Sequence, residues 1–231
     1  MLKVCLISPS FPNMHCGIGD YTAQLVNSLG GHDLIIAVIT SSHEKVKQFV
    51  KSQSMDGVLV LPIIKRWNFF NIITLYRKIK DLRPDIIHIQ YHWRTFNDGF
   101  ILKGMMITLL PLFLKALKVN GNIITTIHSG LNGPYLFPKA IIFRQLALIP
   151  LLLFSHRIIF TNEFDGKVIS NWFPFIKRKI VYIKGGAGLY LINSPFIHED
   201  ALRIKSQLKN SLDEIILSNF GFMIPYKGLE E

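Results

Sequence analysis

Short runs of Val, Ile and other apolar residues recur along the chain, separated by longer segments with helical patterns. The runs are nearly continuous rather than alternating with polar residues, which is typical of strands buried on both faces of a parallel sheet. We therefore predict an α/β fold, a doubly wound Rossmann-like parallel sheet with helices on both sides. The predicted strands are residues 4–8, 34–40, 58–61, 85–90, 122–127, 157–161, 180–183 and 215–220.

Amphipathic segments at residues 18–29, 69–82 and 198–212 have the spacing of helices that cross between parallel strands. Two more strongly hydrophobic stretches, residues 100–117 and 140–154, are interrupted by charged residues and prolines. Neither supplies the roughly twenty apolar residues that a membrane-spanning helix needs. We therefore predict no transmembrane helix, and a buried helix is the default interpretation of residues 146–154.

A Gly- and Pro-containing segment at residues 185–195 is the best candidate for a domain boundary. We predict a Rossmann-like domain over residues 1–194. Residues 195–231 are predicted to form a linking helix and the first strand of a second, incomplete domain. The last residues, 228–231, fall where a helix would begin, so we expect the chain to be interrupted there.

The charge balance is basic, with 26 Lys and Arg against 15 Asp and Glu in 231 residues, a net charge of +11. The basic clusters are scattered and not interleaved with aromatic residues on one face, so nucleic acid is not predicted as a partner. Basic charge beside apolar helices better fits peripheral contact with an anionic membrane. Cys5 and Cys16 are too few for a disulfide scaffold, which favours a cytoplasmic location at or near the inner face of the membrane.

A glycine-containing loop follows the first predicted strand and includes Gly17, Ile18 and Gly19. Backbone N–H groups at the start of the next helix can bind an anion or a sugar hydroxyl. A glycine hinge with Asp20 as the helix cap explains the same residues equally well, so both interpretations stay open. A dinucleotide fingerprint is incomplete, since Thr22 replaces its third glycine and the second strand ends without an acidic residue. We predict no dinucleotide cofactor.

Polar side chains follow the fourth and fifth predicted strands. Gln90, Tyr91 and His92 end one strand, and His128 follows the other. Ligands bind at the carboxyl edge of open α/β sheets, so these residues are candidates for lining a cleft. His128 can donate to a sugar hydroxyl or a phosphate and can handle protons, although a histidine that caps a loop is the alternative. His88, inside its strand, is predicted to be a core histidine, and the histidine spacings predict no metal site.

In this order the motifs resemble those of the amino-terminal half of a GT-B glycosyltransferase of family 4. The segments that carry the resemblance are residues 3–8, 17–22, 83–90, 125–128 and 221–228. The resemblance implies a retaining transfer of sugar from a nucleotide-sugar donor, without a required metal or other cofactor. It also implies that this half holds the acceptor, a saccharide or a lipid-linked molecule of polysaccharide or cell-envelope synthesis.

The resemblance assigns roles to individual residues. Gly17, Ile18 and Gly19 would lie against the reacting sugar or donor phosphate, and His128 would be the catalytic residue that touches the transferred sugar. Gln90, Tyr91 and His92 would lie near the acceptor. Lys227 would face the donor diphosphate and offset the charge of the leaving group.

Two departures from the family leave enzymatic activity open. The sequence stops at Glu231, so we expect the family's nucleotide-binding domain to be missing from this chain. Phe222, Met223 and Ile224 stand where the family commonly carries an arginine. We expect a hexosyltransferase-type enzyme that is inactive alone and is completed by a second chain or domain. The alternative is a catalytically inactive relic, or a module that docks on a membrane or protein.

Overall fold

The protein is described from a computed structural model. The structure describes residues 1–14, 16–30, 32–52, 57–92, 95–96, 105–128, 138–184, 202–203 and 206–207. The chain divides into two compact units, Met1–Gly188 and Leu189–Glu231. Residues 202–203 and 206–207 of the second unit are helical, within the helix predicted over 198–212. The predicted boundary at residue 194, the predicted strand 215–220 and Lys227 lie outside the described residues.

The first unit is a seven-stranded sheet in which all strand pairs are parallel. The strands lie in the order β3-β2-β1-β4-β5-β6-β7, so the predicted doubly wound α/β fold is confirmed. The strands are β1 (Leu2–Ile7), β2 (Leu34–Ser41), β3 (Val58–Ile64), β4 (Ile86–Tyr91), β5 (Asn122–Ile127), β6 (Arg157–Phe160) and β7 (Ile180–Tyr182). The helices are α1 (Gly17–Leu29), α2 (Glu44–Ser52), α3 (Ile72–Leu82), α4 (Met105–Ala116), α5 (Pro138–Phe154) and α6 (Glu163–Trp172), with 3₁₀ turns at Phe69–Asn71 and Pro174–Lys179.

The sheet separates two apolar cores. On one side α1 and α2 cover β1 and β2, with Val26 and Val46 buried among strand residues such as Leu6. On the other side lie the buried faces of α3, α4 and α5, including Leu75, Leu110 and Leu151. Helices on both faces explain why the strands are continuous apolar runs. Within the described ranges, no helix is long and apolar enough to cross a membrane.

Two elements differ from the sequence prediction in an instructive way. Strand β3 continues through Pro62 to Ile64, three residues beyond its predicted end. Proline removes a backbone donor, but β3 is at the edge of the sheet, where one side of the strand has no partner strand and proline is tolerated. Helix α2 was not predicted, since among its residues only Val46 is buried and its apolar pattern is short.

Candidate active site

The candidate site lies where the order of strands reverses. Strand β1 pairs with β2 on one side and with β4 on the other, and β4 pairs in turn with β5. Because all three pairs are parallel, β1, β4 and β5 end at the same edge of the sheet. A crevice outside the carboxyl ends of the strands at such a switch point is the usual place for a ligand in this fold class.

Four side chains from β4 and β5 form a hydrogen-bonded group that we call the histidine cluster: His88, Gln90, Thr126 and His128. The Gln90 side chain lies 2.8 Å (Oε1) from His128 Nε2 and 3.3 Å (Nε2) from His88 Nε2. Thr126 Oγ1 is 2.7 Å from His88 Nε2. The cluster follows from strand geometry, since residues two apart point to the same face and Gln90 pairs in register with Thr126.

The orientation of the Gln90 amide determines which histidine nitrogens carry hydrogen. A carbonyl oxygen only accepts, so His128 donates from Nε2 to Gln90 Oε1. An amide nitrogen only donates, so Gln90 Nε2 donates to His88 Nε2. Neutral His128 therefore keeps its lone pair on Nδ1, and none of the described residues bonds to that nitrogen. In this tautomer Nδ1 of His128 is a hydrogen-bond acceptor.

Both histidines of the cluster are neutral at physiological pH. Burial lowers the pKa of His88 to about 4. Burial, with smaller contributions from the nearby His92 and His88, lowers the pKa of His128 to about 4. Because each imidazole gives up its contact with water on burial, the uncharged form of each ring is favoured.

Helix α1 reaches the cluster through Tyr21. The Tyr21 ring meets the His128 ring edge-on, with 4.8 Å between centroids. Tyr21 is half-buried, and burial raises the pKa of its hydroxyl. This contact brings the start of α1 and the loop before it to the same crevice as the ends of β4 and β5. Tyr21 and Thr126 were not predicted, although alternation along β5 places Thr126 on the face of His128.

The loop between β1 and α1 is fixed by hydrogen bonds at its base. Ser8 Oγ donates to the Ser10 carbonyl at 2.7 Å and lies 3.0 Å from Thr22 Oγ1. Thr22 Oγ1 donates to the Ile18 carbonyl. The buried Thr22 side chain therefore fills the space that the third glycine of a dinucleotide fingerprint would leave open.

The two glycines of this loop have different surroundings. A Cβ at Gly19 would lie 3.0 Å from the backbone nitrogen of Phe11, whereas a Cβ at Gly17 would meet nothing within 4 Å. Gly19 also donates its N–H to the Cys16 carbonyl, and Cys16, not Asp20, is the residue at the N-cap. Gly19 thus allows the loop to lie against the helix, and exposed Gly17 is the glycine open to a ligand.

We expect Gly19→Ala to destabilise the fold by about 1–3 kcal/mol, since the backbone of Phe11 must shift to admit the methyl group. The matched control is Gly17→Ala, which should be neutral or stabilising by up to about 1 kcal/mol. Alanine fits the folded loop at position 17, and it lowers the conformational entropy of the unfolded chain. Urea unfolding of both variants measures the difference. Equal stabilities would show that close packing is not the reason for glycine at position 19.

The structure does not bring every predicted site residue to the crevice. Tyr91 is only 6% exposed and lies in the core on the other side of the sheet, where its ring stacks on Phe96 with centroids 6.3 Å apart. Ile18 is buried as well. Gln90 is fully buried beneath His128, while His92 is half-buried at the rim. Successive side chains of a strand point to opposite faces of the sheet, so the sequence of β4 already indicates that Gln90 and Tyr91 lie on different faces.

A concavity lies at the opposite, amino edge of the sheet. It encloses about 660 Å³ between the ends of α3 and α4 and the starts of β4 and β5. The Asp85 carboxylate in its wall accepts the Lys3 backbone N–H at 2.8 Å, which ties the starts of β1 and β4 together. Ligands of open parallel sheets bind at the other edge, so we assign this concavity to the packing of loops.

Across the described residues, no three His, Cys, Asp or Glu side chains group to hold a metal.

Comparison with known proteins gives a likeness in fold. No family model and no curated protein matches the sequence. A glycosyltransferase from Rickettsia africae is similar over 90% of this chain and 50% of its own, with a TM-score of 0.57 and 16% identity. The S. aureus protein MnaA, solved with UDP, is similar over 79% of this chain and 43% of its own, with a TM-score of 0.50 and 14% identity.

The chain thus spans half the length of the rickettsial glycosyltransferase. The expected Rossmann-like fold of a GT-B half is confirmed at the level of architecture. At these identities the likeness concerns the fold, and the chemistry has to be argued from the crevice itself.

Proposed function

We propose that this chain is the acceptor-binding part of a nucleotide-sugar-dependent GT-B glycosyltransferase of family 4. The observation that carries the proposal is the 2.8 Å hydrogen bond between Gln90 and His128 at the switch point of the sheet. It fixes a neutral imidazole at the edge where this fold binds ligands, and no described residue bonds to its Nδ1. The fold shared with half of a glycosyltransferase supports the same proposal.

The chemistry of Nδ1 favours a hydroxyl over a phosphate. A neutral imidazole nitrogen with a lone pair accepts a hydrogen bond from an O–H group, and it has no positive charge to offer an anion. In the proposed reaction a hydroxyl of the transferred sugar donates to His128 Nδ1, while Gln90 and Tyr21 hold the ring. His128 then orients the sugar as the bond to the donor phosphate breaks.

The remaining parts of the reaction belong to groups outside the described residues. We propose that a second domain or chain holds the nucleotide, with Lys227 facing the diphosphate. The acceptor is proposed to be a saccharide or a lipid-linked saccharide, bound near His92 and exposed Gly17. Configuration at the transferred carbon is proposed to be retained, as the resemblance implies, without a metal ion.

The test is a thermal-shift titration of the purified chain with nucleotide sugars and with saccharide or polyprenyl-linked acceptors. A ligand that binds only the folded state stabilises it by about 2.7 kcal/mol at roughly 100 times its Kd, which raises the melting temperature. We expect acceptors to raise it and nucleotide sugars to leave it unchanged. Gln90→Leu should leave the acceptor shift in place, since buried Gln90 holds His128, which we place against the transferred sugar and not against the acceptor.

Other outcomes would count against the proposal. A shift with a nucleotide sugar would contradict the assignment of the donor site to a second domain. No shift with any ligand would favour the alternative, a catalytically inactive protein that docks on another surface. The absence of an arginine among Phe222, Met223 and Ile224 is the sequence feature that favours this alternative.

A further inference from the structure

The most exposed large apolar side chain in the described part of the protein is Phe70, with 88% of its surface accessible. It lies in the connection from β3 to α3 together with Phe69, which is 43% exposed, and Ile73 follows in the first turn of α3 with 54% exposure. We call residues 65–77 the aromatic corner. Three large apolar side chains within five residues make a compact apolar tip, in contrast to the isolated apolar residues of an ordinary surface.

The aromatic corner is firmly attached to the domain beneath it. Trp67 is buried, donates from Nε1 to Ser41 Oγ at 2.8 Å, and meets the Phe96 ring edge-on at 4.8 Å. The Asn68 side chain accepts the Asn71 N–H and so caps the 3₁₀ turn. Anchored in this way, the corner holds Phe69 and Phe70 outward in water, which is unfavourable unless another apolar surface covers them.

The charged residues that neighbour the tip in the sequence, between Asp56 and Asp81, all have one sign. Residues 57–80 contain five basic residues and no acidic residue, the basic ones being Lys65, Arg66, Arg77, Lys78 and Lys80. Lys65 and Arg66 are exposed directly before the tip, and Arg77 is exposed one helical turn after Ile73. An apolar tip flanked by cationic side chains is complementary to a layer that has an apolar interior and an anionic outer face.

We propose that the aromatic corner docks on an anionic lipid bilayer. Phe69, Phe70 and Ile73 enter the boundary between headgroups and acyl chains, while Lys65, Arg66 and Arg77 contact the lipid phosphates. A tip of three side chains is small against the roughly 800 Å² that each partner buries in a stable protein complex, which favours a bilayer over a protein partner.

Docking at this corner has a consequence for the crevice. The corner follows the carboxyl end of β3, and β3 is parallel to the other strands, so it lies at the same edge of the sheet as the histidine cluster. A docked protein therefore turns that edge toward the bilayer, where a lipid-linked acceptor would be carried. This consequence depends on the proposed function, whereas binding to lipid does not.

The experiment is co-sedimentation of the full chain with two kinds of vesicle, phosphatidylcholine alone and equal parts phosphatidylcholine and phosphatidylglycerol. We expect binding to the anionic vesicles only, and weaker binding at high salt. Phe70→Ser should lower the partition coefficient by about tenfold or more, the value of one buried aromatic side chain. Lys65→Glu should lower it further when combined with Phe70→Ser.

The matched control is Phe164→Ser. Phe164 is 66% exposed on α6 but stands between acidic Glu163 and Asp165, so its loss should leave vesicle binding unchanged. Circular dichroism establishes that each variant is folded. Equal losses for Phe70→Ser and Phe164→Ser, or no binding of the unmodified chain to anionic vesicles, would overturn the proposal. So would a self-association, seen by gel filtration, that Phe70→Ser abolishes, because the tip would then be covered by a second copy.

Discussion

Replacing His128 by alanine is expected to lower turnover by well over tenfold in an enzyme completed by a nucleotide-binding domain. The substitution removes the Nδ1 acceptor that we propose for a sugar hydroxyl, and it leaves Gln90 without the donor it now has at 2.8 Å. Positioned contacts of this kind act mainly in the transition state, so kcat should fall more than KM rises. Single-turnover transfer assays measure the effect.

Two further substitutions at position 128 separate the nitrogens of the ring. Asparagine places its side-chain oxygen near the position of Nδ1, whereas glutamine places its polar atoms near Nε2. If Nδ1 is the nitrogen that accepts from substrate, His128→Asn should keep more activity than His128→Gln. The reverse order would contradict the tautomer, and activity like that of the unmodified protein in His128→Ala would remove His128 from the site.

Lowering the pH from 7 to 5 is expected to destabilise the fold by about 4 kcal/mol through His88 and His128. Burial lowers the pKa of each to about 4, against an ordinary value of 6.5. Between these values the unfolded chain binds protons that the folded chain does not, so stability falls as the pH falls. Each histidine contributes about 2 kcal/mol of this loss at pH 5. The contribution is fully present above pH 6.5 and is lost by about pH 4.

Guanidinium unfolding at pH 7 and pH 5 measures this loss. In His88→Gln about half of it should disappear, since glutamine does not titrate but can still accept a hydrogen bond from Thr126. The other seven histidines of the chain are common to both proteins, so the difference between the two pH slopes arises from the substitution at position 88. If the free energy of unfolding changed equally with pH in the unmodified protein and in His88→Gln, folding would not be what keeps His88 neutral.

Most of the architecture follows from local pattern. Strands β1, β2 and β5 are apolar enough to be buried on both faces, and the predicted bounds of β5 agree with the structure residue for residue. Helix α6 was not predicted. Its N-cap is Asn162, whose side chain accepts the Asp165 N–H at 2.8 Å. That cap is a local signal in the sequence, but the apolar face of α6 is too narrow to stand out by periodicity.

The candidate site was predicted only in part. The positions of Gln90 and His128 at the carboxyl edge follow from where β4 and β5 end. Their hydrogen bond joins residues 38 apart in the chain and depends on the register of the two strands. The alternation of Gln90 and Tyr91 between opposite faces was available from the sequence, since successive side chains of a strand point in opposite directions.

The sequence by itself determined the class of fold, the edge of the sheet where polar side chains gather and the incomplete dinucleotide fingerprint at Thr22. These are local properties, since a short window of residues carries each of them. The tertiary structure decided which nitrogen of His128 bonds to Gln90, why Gly19 must lack a side chain and which aromatic residues are buried. Each of these depends on an atom supplied by a distant part of the chain, namely the Gln90 amide, the Phe11 backbone and the Ser41 hydroxyl that holds Trp67.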